Sequence, residues 1–537
     1  MKPVSFLRAS FAVAAVAATV AVSAVPALAE VVLRRGNGAE PQTLDAAHTS
    51  IDVERNVLKD LFEGLTTFDA AGKVTGGAAE SWTTNADGTV YTFKIRANAK
   101  WSDGSPVTAD DFVFSFRRIE DPTTAAGYAN ILYPIKNAQA INQAAKDKPV
   151  DVATLGVKAI DPKTLEITLE RPTPYLTQLL AHQTALPVNK ANLDKNGTNY
   201  VKPGVMVSNG AFMLTEQVLN DHITVSKNPN YWDAANVKLD KVIFYPTDDI
   251  PAAVRRFQAG ELDINYNFPA DQIDSLKASL GADQVHSAPY LSVYYYVLDT
   301  RHAPFNDPNV RQALSMAIDR DFLAQKIYGN TQIPLYSFIP PGMEGYTAAT
   351  PAFAKMSQLD REDKAKALLK AAGYGPGGKP INISIRYNTN ANHQKVATAI
   401  ADMWKGLGVT VSLMNTDTAA HYDYLRQGNM FDVARAGWVA DYADPENFLT
   451  LAITSNKDFN YGHFSDPKYD ALVAQSYTEK NGDARMKLLH DAEQLLMDET
   501  GVVPLMNTAS LWLVSRKVKG FVDNAQNDHP SRYMSIQ

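Results

Sequence analysis

Side chains that could do chemistry are plentiful in this 537-residue chain, which carries 58 acids and 10 histidines. Their spacing does not assemble a reaction. The carboxylate pairs Asp110-Asp111 and Asp248-Asp249 are neighbours in sequence, and on a helix such neighbours point apart, so neither pair can divide into acid and base. No H-E-x-x-H, G-x-S-x-G or G-x-x-x-x-G-K-[ST] pattern occurs, which leaves out the metal, serine and phosphate chemistry that those patterns serve. The chain has no cysteine, and this excludes disulfides, thiolate nucleophiles, Cys-ligated zinc and a lipid-modified N-terminal cysteine together. A secreted hydrolase is therefore the weaker reading; the expectation is a protein that is not an enzyme and that uses no metal and no cofactor.

Lys2 and Arg8 precede an uncharged, Ala- and Val-rich run from Ala9 to Val25, which ends in Pro26-Ala27-Leu28-Ala29. A basic start, an apolar stretch and small residues at Ala27 and Ala29 read as a secretory signal peptide cleaved after Ala29, with the mature chain starting at Glu30. The alternative is a membrane anchor, since the run approaches the ~20 residues that a span needs. Export without a lipid anchor points to a soluble protein in the periplasm of a Gram-negative cell. The formal net charge is -7, and losing a leader with only positive charges makes the remainder more acidic. That balance argues against nucleic acid or anionic membrane surfaces as partners. A chain of this length with 45% hydrophobic residues exceeds one core and implies two or three domains.

The elements read as α/β. Strand-like alternation occurs at Tyr91 to Arg96, Thr164 to Leu169 and His222 to Ser226. Asp307 can cap a helix that Pro308 opens, with Val310, Ala313, Leu314, Ala317 and Ile318 as its buried stripe. A second helix is expected from an Asp360 cap to a Gly373 stop. A strand from Ile381 to Tyr387, a helix around Lys395 to Lys405 and a strand from Val409 to Met414 then make a βαβ unit. Ligands favour the carboxyl ends of such strands, so Asn388 to His393 is a candidate site edge. Tyr290, Ser292, Tyr294 and Tyr296 fall on one side of a strand and Val293 and Tyr295 on the other, with one side expected to be core.

Residues 88–116 read GTVYTFKIRANAKWSDGSPVTADDFVFSF: a strand, an Asp103-Gly104 turn, and a helix capped by Thr108 with Asp110 and Asp111 in its first turn. This segment resembles the signature of family 5 extracellular solute-binding proteins, the peptide and nickel group. SNGAFML (208–214), KNPNYWD (227–233), FQAGELDINYN (257–267), APFNDPNVRQALSMAIDRD (303–321) and FDVARAGWVADYADPENFL (431–449) follow in the family's order, so the resemblance covers nearly the whole mature chain. The last block is most similar to periplasmic oligopeptide-binding proteins.

The resemblance implies a two-lobed periplasmic-binding-protein fold (type II, cluster C) with an extra small domain. Domain I would comprise 30–66, 187–290 and 509–537, the small domain 67–186 and the second lobe 291–508. It implies a substrate-binding component of an ABC importer that holds short, extended peptides by backbone and termini, delivers them to membrane permease subunits, and works as a monomer. Asp441 would take the α-ammonium, where a carboxylate forms short, charge-assisted bonds. Arg435 and Arg426 would take the peptide carboxylate, since guanidinium donates two parallel bonds to it, with His393 as a third cation. Gly437, Trp438 and Asn388 would lie beside the ligand, Tyr290, Ser292 and Tyr295 near hinge and ligand, and Tyr128 would come from the small domain. Two positions depart from oligopeptide binders: Ala419 stands where many carry tryptophan, and a lysine near Lys326 to Asn330 is missing. Within the binding class, the rivals are a cell-wall (murein) peptide, a dipeptide and a metal chelate.

Overall fold

The computed structural model describes residues 30–49 and 51–537. The expected signal peptide and its expected cleavage after Ala29 lie outside the described residues.

Local signals place most of the elements. The Thr108 backbone N–H donates to Asp111 Oδ2 at 2.7 Å, closing the first turn of helix Ala109–Glu120. Asp307 Oδ1 accepts from the Asn309 N–H at 2.8 Å and starts helix Pro308–Met316, whose Val310, Ala313 and Leu314 are buried. The helix expected from Asp360 begins a turn earlier, at Gln358, and runs to Ala371. Its cap is Ser357, whose Oγ accepts from the Asp360 N–H at 3.2 Å, so Asp360 sits inside the first turn. The βαβ unit is Ile381–Asn388, Ala391–Lys405 and Val409–Thr416, and its strands pair in parallel from Ile381 opposite Val409 to Asn388 opposite Thr416.

Three larger sheets organise the described residues. A seven-stranded sheet takes its strands from residues 32–38, 212–218, 222–227, 241–246, 264–266, 285–289 and 509–514. A four-stranded antiparallel sheet uses 79–84, 90–95, 157–161 and 164–168, and a six-stranded sheet uses 292–298, 333–334, 381–388, 409–416, 433–439 and 503–507.

The cores group these sheets into two lobes. One apolar core is continuous from the seven-stranded sheet, through Leu33, Phe212 and Val242, to the four-stranded sheet, through Phe93, Phe112 and Ile167. The six-stranded sheet has its own core on each face, with Tyr294, Ile383 and Trp404 on one side and Val293, Tyr295 and Phe338 on the other. Strand Ser292–Leu298 is consequently buried along its whole length, which corrects the expectation of a single core face. It is an interior strand, bonded to 433–439 on one edge and to 503–507 on the other, so alternation does not separate a dry face from a wet one.

Candidate ligand-binding cleft

The site is built around strand Val433–Val439, which runs antiparallel to Ser292–Leu298 and leaves the sheet at Ala440. At its start, Arg435 lies over the Tyr294 ring at 4.7 Å and donates from Nη1 to Tyr422 Oη at 2.7 Å and to Asn388 Oδ1 at 3.3 Å. A Cβ on Gly437 would stand 2.8 Å from Arg435 Nη2, so glycine there makes room for the guanidinium. Among the described residues no carboxylate pairs with Arg435, and its Nε is buried without a partner.

Just past the other end, Asp441 Oδ1 accepts from Tyr128 Oη at 2.8 Å. Asn447 ties the turn together: its Oδ1 accepts from Trp438 Nε1 at 2.8 Å and from the Asp441 N–H at 3.3 Å, and its Nδ2 approaches Asp441 Oδ2 at 3.4 Å. Burial pushes the Asp441 carboxyl up to about 6, against hydrogen bonds from Tyr128 and Asn447 and the charge of Arg55. Holding that carboxylate ionised at neutral pH costs about 3 kcal/mol. A cation placed beside it would recover this energy.

Asp441 and Trp438 are shared by two cavities. One, of about 940 Å³, opens toward Tyr133, Gln139, Arg171 and Phe459. The other, of about 360 Å³, is walled by Asp52, Arg55, Lys59, Tyr128, His182 and Asp528. In the smaller cavity, Arg55 meets Asp52 at 3.1 Å and Lys59 meets Asp528 at 3.6 Å. His182 lies flat against Tyr128 with ring centroids 5.5 Å apart, and burial, then Lys59 and Arg55, hold its imidazole neutral at about 3. The lobes also meet beside Asp441: Tyr175 stacks on Tyr442 at 4.3 Å, and the Gln178 amide bonds both backbone groups of Ala443.

The remaining expected residues divide. Asn388 ends its strand and joins Arg435 to Thr418 Oγ1. His393 Nδ1 lies 3.3 Å from Tyr294 Oη, and burial, followed by Arg435 and His421, brings its imidazole down to about 3. Those surroundings disfavour the imidazolium, against the expectation of a third cation. Arg426 is exposed, pairs at 2.5 Å with Asp423 on its own helix and also interacts with Tyr461, whose ring lies 6.2 Å from that of Tyr422. Tyr295 is 2% exposed and packs edge-on against Phe338 at 5.1 Å; it belongs to the core and not to the cleft wall, a second correction. Tyr290 is part-exposed beside Thr508, and the Ser292 hydroxyl is bonded to the Thr508 hydroxyl where the chain crosses between lobes.

Sequence reasoning missed Asn447, the charged pairs of the smaller cavity, and Tyr422. Asn447 stood within the last signature block, so its proximity to Asp441 was the only available signal. Arg55, Lys59 and Asp528 come from opposite ends of the chain.

Two lobes with a cleft between them, and a charged strand end in that cleft, define a periplasmic-binding type of architecture. Residues 73–460 match the family described as bacterial extracellular solute-binding proteins, family 5 Middle. The chain belongs to that family. It is 41% identical over 503 residues to the periplasmic murein peptide-binding protein MppA of Escherichia coli, covering 93% of this chain and 91% of that one. It is 39% identical over 524 residues to the periplasmic oligopeptide-binding protein OppA of Salmonella typhimurium, covering 96% and 95%. The solved structure of the E. coli murein tripeptide binding protein MppA aligns with a TM-score of 0.81 at 39% identity, covering 95% of this chain and 99% of that one.

Proposed function

We propose that this protein is the substrate-binding component of an ABC importer, capturing short peptides with a free amino terminus in the periplasm and passing them to membrane permease subunits. Asp441 carries the reading: a carboxylate destabilised by burial, fixed by Tyr128 and Asn447, and open to both cavities. Such a group is poised for a desolvated ammonium, and the constant parts of a peptide are what a tolerant binder can hold. Arg435 is the cation placed for the peptide's carboxylate or a backbone carbonyl. The relatives named for murein peptides and oligopeptides support the peptide class. Among the described residues no helix is long and apolar enough to cross a membrane, and no three His, Cys, Asp or Glu side chains are grouped to hold a metal ion.

Domain I at 30–66, 187–290 and 509–537, a small domain at 67–186 and a second lobe at 291–508 fit the way the three sheets draw their strands. Closure would occur at the crossings near Tyr290 and Thr508, by the population shift that a ligand with higher affinity for the closed form produces. A murein peptide is the second reading, favoured by the 41% identity to the protein named for it. Native mass spectrometry of the protein purified from its own periplasm tests both. A retained mass matching peptides of mixed sequence supports the first reading, a single diamino-acid tripeptide supports the second, and a non-peptide mass contradicts both.

A further inference from the structure

The larger cavity exceeds the needs of a peptide's first side chain. At about 940 Å³ it reaches the size range that accommodates a whole drug-sized ligand. Asp441 and Trp438 line it and are shared with the smaller cavity, which is also lined by Val439 and Ala440. On the peptide reading, the ligand backbone follows that strand and its nitrogen sits at Asp441. A group bonded to this nitrogen must then enter one cavity or the other.

The two differ in how far their charges are buried. The smaller holds Asp52, Arg55, Lys59 and Asp528, and burying an uncharged polar group among them would separate charges already paired. In the larger cavity, Asp441 apart, the charges near the wall are held by neighbours. Arg171 meets Glu446 at 3.5 Å and lies over the Tyr477 ring at 3.8 Å, and Glu170 accepts from the Asn137 N–H at 2.6 Å. The other charged side chains, Lys457 and Asp458, are exposed neighbours of opposite sign.

What the chamber offers a guest is neutral. Asn130, Gln139 and Gln143 contribute exposed amides, and Ser455 a hydroxyl. Each amide both donates and accepts, which matches hydroxyl groups that do the same. Trp438 and Phe459 form a rigid edge-to-face wall with ring centroids 5.2 Å apart, a surface for the C–H face of a ring.

We propose that the chamber beyond Asp441 is a second subsite that receives an uncharged, hydroxyl-rich group carried on the nitrogen of the ligand's first residue, a sugar acid joined as an amide being the chemical class. The protein would then take peptides with and without such a group at one cleft. This rests on the peptide reading above, and the test separates the two. Calorimetry is run with one alanyl tripeptide in four forms: free amine, N-acetyl, N-octanoyl and N-acetylmuramoyl. Acetylation is expected to weaken binding at least tenfold through loss of the ammonium, and the muramoyl form to recover at least tenfold of it. The octanoyl form, bulky without hydroxyls, is expected to stay near the acetyl form. The double variant Gln139→Ala, Gln143→Ala changes exposed side chains; it should remove the muramoyl gain and leave the free tripeptide unchanged. Equal affinities for the acetyl and muramoyl forms, or octanoyl binding as tight as muramoyl, overturn the subsite alone. No binding of the free tripeptide overturns the peptide reading itself.

Discussion

The two ends of strand 433–439 carry opposite charges in opposite states. Arg435 is enclosed: Tyr294 beneath it, Tyr422 and Asn388 at its Nη1, and tyrosine oxygens that keep it protonated despite burial. Asp441 is held in position by Tyr128 and Asn447, yet burial has pushed its carboxyl up to about 6, and two cavities open on it. One charge is largely satisfied by the protein; the other, on the proposed reading, is the one a ligand relieves. The difference teaches where binding energy resides, since relieving a destabilised charge contributes more than exchanging one good environment for another.

The largest break in that comparison is Asp441→Asn. It keeps the shape and the Asn447 contact but removes the charge, and it should weaken a free tripeptide 100-fold or more, about 3 kcal/mol, by calorimetry. The reciprocal change, Arg435→Met, should act on both fold and ligand. Losing charged hydrogen bonds to Tyr422 and Asn388 should lower unfolding stability by about 2 kcal/mol in urea titrations. Affinity for a free-acid tripeptide should fall about tenfold, with a smaller loss for its C-terminal amide.

Acid pH should sharpen the contrast. Below about 6 the Asp441 carboxyl gains a proton in the ligand-free protein, so affinity for an ammonium ligand should drop about tenfold per pH unit. Stability moves the other way. A carboxyl raised by folding binds more protons folded than unfolded between about pH 4 and 6, so its contribution to stability rises as pH falls through that window. The groups facing Asp441 are Tyr128, Asn447 and Arg55. Buried Glu493 and Glu120 are also raised, to about 7 and about 8, so the measurement is the difference between wild type and Asp441→Asn. The smallest expected effect is Arg426→Ala: an exposed pair with Asp423 on one helix should be worth within about 0.5 kcal/mol, for stability and for peptide affinity alike.

Sequence showed the scaffold where signals are local. Asp307 before Pro308, Thr108 before two acids, and the spacing of the βαβ unit fixed those elements to within a few residues. Ser357 escaped because serine and aspartate three positions apart both suit a cap, and the earlier one prevailed. Tyr295 was misplaced because an interior strand between two cores offers no wet face for alternation to mark. In the cleft, Asp441 stood out only through its signature block. Its charge state depends on Tyr128, 313 positions away, and on Arg55 near the start of the chain; contacts of that separation leave no periodic trace. His393 looked like a third cation in sequence, whereas burial first, then Arg435 and His421, bring its imidazole down to about 3.

The most direct test of the central claim joins the ligand's amine to Asp441 in one cycle. The affinities of a free and an N-acetylated tripeptide are measured by calorimetry at neutral pH for wild type and for Asp441→Asn. If Asp441 receives the ammonium, acetylation costs the wild type at least tenfold and costs the variant almost nothing. An equal cost in both proteins would place the ammonium elsewhere and contradict the account.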